Sequence, residues 1–335
     1  MAEKASPSRR ASVVPSGVVY AFQFTAVAVW VAYATLYFKS LGVSLATIGL
    51  LASIPSAVAI VAAPLWGLVA DRLGDVRPPY LAGALWAAAI GLFLSTGPSL
   101  PWLAVAVALL AVGTSGLTPL VDARTIQRLW PDRSRFGRAR VWGSVAFMIT
   151  TVSVGAIVPT FGLASAFLVY AVAMALGGIS AALLLGKAKE RLRVGGIGPL
   201  AGLGLLRLPG LGAFFAASTL AWTASSTALT LLSLRVVDLG GDTSLVGIAW
   251  AVNAAVEIPL MILFPRIVKR LRIEWLIVAG ISVIILRSLL WWAAATPTTF
   301  IAVTALSGVS FTFMLVGTTS YIATRVPPSL QATAG

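Results

Sequence analysis

Apolar residues run through this chain in ten long, nearly unbroken stretches, and most charged residues collect in the gaps between them. A helix needs about 20 mostly apolar residues to cross about 30 Å of hydrocarbon at about 1.5 Å per residue. On that measure the spans run roughly Val18 to Phe38, Thr47 to Ala70, Tyr80 to Thr96, Pro101 to Asp122 and Val141 to Pro159. They continue as Leu163 to Leu185, Leu211 to Leu234, Leu245 to Phe264, Trp275 to Ala295 and Phe300 to Ala323. The pattern predicts an all-helical polytopic membrane protein.

Composition agrees, because 59% hydrophobic and 10% charged residues over 335 positions exceed what one soluble core could hide. The lipid bilayer is therefore the chain's main partner. A net charge of +14 would suggest nucleic acid if the basic residues formed a stripe on a soluble domain. Instead, all Lys and Arg except Lys39, Arg235 and Arg287 lie before span one or in the gaps after spans two, four, six, eight and ten. The positive-inside rule then places the N-terminus and those gaps in the cytoplasm, with the spans in the cell's inner (plasma) membrane, and no nucleic acid is expected. Span one is too long and unbroken for a cleavable signal core, so residues 1–17 read as a retained cytoplasmic tail.

Cysteine and histidine are absent. Disulfides, thiolate metal sites and the usual near-neutral proton carrier are excluded, and proton chemistry falls to carboxylates. No metal, cofactor or enzymatic constellation is expected. Residues 187–210 are first charged and then glycine-rich, the composition of a cytoplasmic linker between bundles 18–186 and 211–335. Its glycines lack the Gly-Lys-Ser/Thr ending of a phosphate loop.

Between spans two and three, Gly67-Leu-Val-Ala-Asp71-Arg72-Leu-Gly74-Asp-Val-Arg77 resembles the loop signature of the major facilitator superfamily. Val121-Asp122-Ala123 followed by Phe136-Gly137-Arg138-Ala139-Arg140-Val-Trp-Gly143 resembles the lactose permease branch with its nucleoside and phenylpropionate proton symporters. That resemblance implies two six-helix bundles working by alternating access on a small-molecule solute, with protons as coupling ion. It implies substrate-binding roles for Asp122 and Arg140, a stacking role for Phe147, and a gating role for Gly67, Asp71, Arg72, Gly74 and Arg77. In that loop Gly67 is expected to admit a neighbouring helix, Gly74 to relieve a turn, and Asp71 and Arg72 to pair across the seam between the halves. Asp75 and Val76 depart from the family's basic residues.

The residues themselves point partly the same way. Ser115, Thr118 and Asp122 share one face of span four, although Asp122 at a helix end could simply pair with the arginines beyond it. Glu257 and Arg287 lie within spans eight and nine, with Asn253 one turn before Glu257. A charge at a helix centre costs about 2.5 to 3.5 kcal/mol on insertion scales, so both are expected to be buried and functional, as a coupling pair or a static one. Glu257 falls near, not on, the permease's glutamate, and Leu306-Ser307-Gly308 stands where relatives carry histidine. On span one, Tyr20, Gln23, Trp30 and Tyr37 fall close to one helical face, a cavity wall for a ring-bearing substrate or, for the end residues Tyr20 and Tyr37, interface anchors; Gln23 and Trp30 are the candidate cavity residues, and Trp291 and Trp292 read as interface anchors.

The function expected is proton-coupled uptake of a sugar, nucleoside or aromatic acid by a monomer. Efflux or uncoupled facilitation, and a receptor or scaffold without transport, are the alternatives. The segment after span ten, Pro327 to Gly335, resembles the one after span four that leads into another helix. Twelve spans with two missing are therefore expected, and a chain that does not transport alone.

Overall fold

The computed structural model describes residues 12–129, 135–187, 210–268 and 271–325, with side chains in 264–268 and 323–325 left aside. The described residues hold helices and turns and no strand. Much of the tail, the linker and the segment after span ten lie outside them.

The helices are α1 (Val14–Ser40), α2 (Leu45–Leu73), α3 (Arg77–Leu94), α4 (Leu100–Thr114), α5 (Leu117–Leu129) and α6 (Phe136–Phe161). They continue with α7 (Ala164–Leu184), α8 (Leu211–Thr230), α9 (Leu232–Asp238), α10 (Thr243–Val268), α11 (Ile273–Ala293) and α12 (Pro297–Arg325). Among the described residues eight helical stretches are long and apolar enough to cross a membrane, α4 and α5 counting as one. A ninth arises if α8 and α9, bent by 42°, form one span. The expected third span is α3, which has 18 residues and opens on Arg77-Pro78-Pro79, so its apolar part is shorter than the sequence pattern implies. The bend after α8 has a local cause, since Ser226 Oγ donates to the Thr223 carbonyl and Thr230 Oγ1 to the Ser226 carbonyl. Such back-bonding competes with the helical ladder.

Two compact units divide the chain. The first comprises Met1–Trp30, Phe38–Phe147 and Ala164–Leu192; the second comprises Val31–Tyr37, Met148–Leu163 and Arg193–Gly335. In the first unit α3 packs on α7 and α4 on both α2 and α3. The buried face of α3 carries Gly83, Ala84, Ala87, Ala88 and Gly91, and that of α7 carries Ala171, Gly177, Gly178 and Ala181. Lipid tails are as apolar as leucine, so small side chains hold such helices by letting their backbones approach. α2 instead exposes Leu50, Ile60, Val61 and Leu65. In the second unit α12 packs on α10 and α11. Leu276, Ile277, Gly280, Ile284, Arg287 and Trp291 form the buried stripe of α11 at helical spacing.

Arg124 ties the end of α7 to α5. Its Nη2 donates to the carbonyls of Leu185, Gly186 and Lys187 at 3.0, 2.9 and 2.6 Å, and Arg128 Nη1 reaches the Leu184 carbonyl at 2.8 Å. These are carbonyls a helix end leaves without intrahelical partners. Replacing Arg124 with Met removes a buried cation from three acceptors, at about 1 to 3 kcal/mol. In a protein of this size that lowers the apparent melting midpoint by roughly 1 to 4 °C. Differential scanning fluorimetry of purified protein checks this, and an unchanged midpoint rules out the tie.

Candidate functional site

The loop after α2 realises only part of its expected design. Gly74 ends α2 at φ +65°, a left-handed conformation that glycine adopts without a Cβ clash, and its N–H bonds the Asp71 carbonyl. Gly67 meets no neighbouring helix among the described residues, where a Cβ would find nothing within 4 Å. Asp71 and Arg72 are exposed and form no ion pair among the described residues. The loop's ion pair is Asp75 with Arg77, Nη2 to Oδ2 at 2.7 Å. The Arg77 guanidinium holds the Asp75 carboxyl below its ordinary value, so it stays ionised. A local pair two residues apart forms here because α3 begins at Arg77.

Asp122 and Arg140 meet. α5 carries the carboxylate and α6 the guanidinium, with Nη1 at 3.1 Å from Oδ1 and 3.4 Å from Oδ2. Tyr20 of α1 donates its hydroxyl to the same Oδ1 at 2.6 Å. Arg140 also lies 5.8 Å from the Tyr20 ring centre and 5.2 Å from that of Phe24, within cation–π range. Phe136 stands edge-on to Tyr20. The arrangement offers hydrogen-bond acceptor, donor and aromatic surface together, and the side chains remain 29% (Asp122) and 37% (Arg140) exposed. Phe147 is half-buried two turns further along α6.

Tyr20 is the residue sequence reasoning misplaced. It is fully buried rather than an interface anchor, as is Tyr37 at 2% exposure. Its distance of 102 positions from Asp122 hides the contact from any local pattern. In Tyr20→Phe the carboxylate loses a charge-assisted partner of about 1.5 to 3 kcal/mol. Initial uptake rates are expected to drop roughly tenfold or more at unchanged expression, since about 1.4 kcal/mol is tenfold. Wild-type rates would remove Tyr20 from the site.

Gln23 and Trp30 border a cavity of about 110 Å³ inside the first unit, together with Val27, Leu110, Thr114 and Tyr170. The Gln23 amide is fully engaged there: Nε2 donates to Thr118 Oγ1 at 2.6 Å, and Oε1 accepts from Tyr80 at 3.0 Å. The polar stripe expected on span four thus reaches two functional neighbours, Thr118 holding Gln23 and Asp122 holding Arg140. Trp30 meets Phe38 and Phe167 edge-on.

In the second unit the structure does not bring Glu257 and Arg287 into an ion pair. Arg287 is fully buried, and its guanidinium reaches Ser225 and Ser307 hydroxyls and the ring of Trp291. Trp291, expected at the membrane interface, is buried and stacks on Phe300 at 4.9 Å, whereas Trp292 is 85% exposed. Glu257 is half-buried on α10. Asn253, one turn earlier, has a buried Oδ1 without a hydrogen-bond partner among the described residues. No group of three or more acidic residues there stands close enough to hold a metal.

Comparison with known proteins gives this geometry a context. The chain is 27% identical over 293 residues to a maltose permease of Geobacillus stearothermophilus, covering 86% of this chain and 73% of that protein. Its fold matches the nucleoside transporter NupG (D323A mutant) with a TM-score of 0.86 at 18% identity, over 96% of this chain and 85% of that one. A POT family transporter in complex with 5-aminolevulinic acid matches with a TM-score of 0.75 at 15% identity, over 96% and 85% respectively. Residues 16–335 match the model of the MFS_1 like family, and the chain belongs to that family of multi-pass membrane transporters.

Proposed function

We propose that the protein takes up a small organic solute, a sugar, nucleoside or aromatic acid, together with protons. The half-exposed pair of Asp122 and Arg140, faced by Tyr20, Phe24 and Phe136, carries this reading. The carboxylate accepts from a solute hydroxyl, the guanidinium donates to its neighbour, and the rings cover the apolar face of the sugar or base. A maltose permease and a nucleoside transporter among the similar proteins support that choice.

Proton coupling falls to Glu257, since chemistry without histidine leaves carboxylates as carriers and this one lies within a spanning helix. Gln23, Trp30 and Phe147 extend the proposed binding surface within the first unit, Asn253 is a separate solute-binding candidate of the second, and the exposed Asp71 and Arg72 serve the gate with Gly74 and Arg77. Two bundles, 18–186 and 211–335, work by alternating access. The distribution of Lys and Arg supports an N-terminus in the cytoplasm of a cell whose plasma membrane holds the protein.

Proteoliposomes holding the full-length protein test this with labelled sugars, nucleosides and aromatic acids and a pH dye in lightly buffered medium. Solute-driven alkalinisation of the medium is the expected result. Uptake without proton movement ends the symport claim and leaves facilitation or efflux. One observation favours that second reading: α12 has no acidic or basic side chain before Arg325 and buries Thr304, Ser307, Ser310 and Thr312 instead.

A further inference from the structure

Arg287 is a buried cation with no carboxylate among its partners in the described residues. In the described residues its guanidinium contacts Ser225 Oγ, at 3.4 Å from Nη1 and 3.5 Å from Nη2, and Ser307 Oγ at 3.3 Å from Nη1. These are long for charge-assisted hydrogen bonds, which run at about 2.7 to 2.9 Å. Nε is buried and has no partner among those residues. Taking a cation out of water without a counter-charge is costly, and neutral hydroxyls at this range compensate it only in part.

The surroundings define what would complete the site. Trp291 lies 4.5 Å from the guanidinium carbon and closes one face of the plane. That ring is itself fixed, stacked on Phe300 and donating Nε1–H to the Phe300 carbonyl at 3.3 Å. A carboxylate pairs with an arginine in the guanidinium plane, through two parallel N–H bonds. Ser307 reaches Nη1 and Ser225 bridges Nη1 and Nη2, leaving the edge formed by Nε–H and the second Nη2–H, a parallel fork that matches two carboxylate oxygens. Ser225 and Ser307 accept from the arginine, so each retains its own O–H to donate to the same ligand. Three helices supply these groups, α8, α11 and α12, all within the second unit.

We propose that Arg287, Ser225 and Ser307 form a receptor for a monoanion, the carboxylate of an organic solute. The physiological use of this site rests on the transport reading; its existence does not, because binding is measured without a gradient or flux. Opening during the transport cycle would admit the ligand to a position closed in this conformation.

The test uses the full-length protein in zwitterionic nanodiscs, titrated with sodium acetate or sodium chloride at constant ionic strength, a bulky sulfonate being the balancing anion. Tryptophan emission and the melting midpoint are read together, Trp291 lying against the cation. Saturation by acetate is expected, weakened at least tenfold in Arg287→Gln and severalfold in Ser225→Ala/Ser307→Ala. The double serine variant keeps the test decisive if Arg287→Gln fails to fold. A linear, unsaturable response to acetate, or saturation unchanged in the serine variant, overturns the proposal. Saturation by chloride alone overturns the carboxylate assignment. Saturable acetate binding in a protein that moves no solute leaves this site standing and removes the transport reading.

Discussion

Uptake by an Arg140→Ala variant falls on the order of 100-fold, with protein level and melting midpoint close to wild type. The reasoning separates two roles for one side chain. As a structural ion pair Arg140 contributes little, because both partners are partly exposed and such pairs contribute about 0 to 1 kcal/mol. As a ligand it contributes more, since each hydrogen bond to a charged group is worth about 1.5 to 3 kcal/mol and the guanidinium offers a fork of them. Loss of two such bonds corresponds to about 3 kcal/mol or more, which is at least 100-fold at about 1.4 kcal/mol per decade. Asp122→Asn is expected to act in the same direction. The double variant Asp122→Asn/Arg140→Gln discriminates between the roles. If the pair only balances charge, the neutral double recovers uptake; if it holds solute, the double remains inactive. Near-wild-type initial rates in the double variant would remove both residues from the binding site.

The part of the design that sequence reveals is the part encoded along one dimension. Spans are legible because hydrocarbon thickness sets a length and composition, and Gly74 because a left-handed helix end favours glycine. Asp122 and Arg140 were singled out from local segments, and the structure joins them. Contacts set by the third dimension were not legible. Tyr20 at a span end reads as an interface anchor until the fold carries it to Asp122. Ser225 and Ser307 carry no signal, being two hydroxyls among many in apolar helices, yet they hold Arg287. Glycines divide in the same way. Gly67, in a recognisable motif, faces open space, while Gly247, in no motif, is crowded by backbone. Spacing along a helix says which residues share a face and not what that face meets.

Gly247 carries the second large effect. A Cβ there would overlap the Thr151 carbonyl oxygen and come within 2.9 Å of both the Thr151 carbonyl carbon and Tyr33 Oη. One helical turn away the relation is mirrored: a Cβ on Gly155 would lie 2.6 Å from the Thr243 carbonyl oxygen and 2.8 Å from Tyr33 Oη. Position 151 meets 247 and 155 meets 243, so α6 and α10 run in opposite directions along a backbone-to-backbone seam. Thr243 Oγ1 and Ser244 Oγ bond the Gly155 carbonyl across it at 3.2 and 3.3 Å. Backbone atoms cannot rotate away as a side chain can, so a larger residue at 247 must push the helices apart. Overpacking of this kind costs about 1 to 3 kcal/mol. Charged to the closed seam alone, that energy shifts an open–closed equilibrium about 5- to 150-fold. Gly247→Leu is therefore expected to bring uptake close to background in a protein that still folds. Because the chain has no cysteine, a single Thr243→Cys serves as reporter. Its labelling by a water-soluble maleimide should accelerate at least fivefold in the Gly247→Leu background. Unchanged labelling with unchanged uptake would mean that α6 and α10 need not close at this seam during transport.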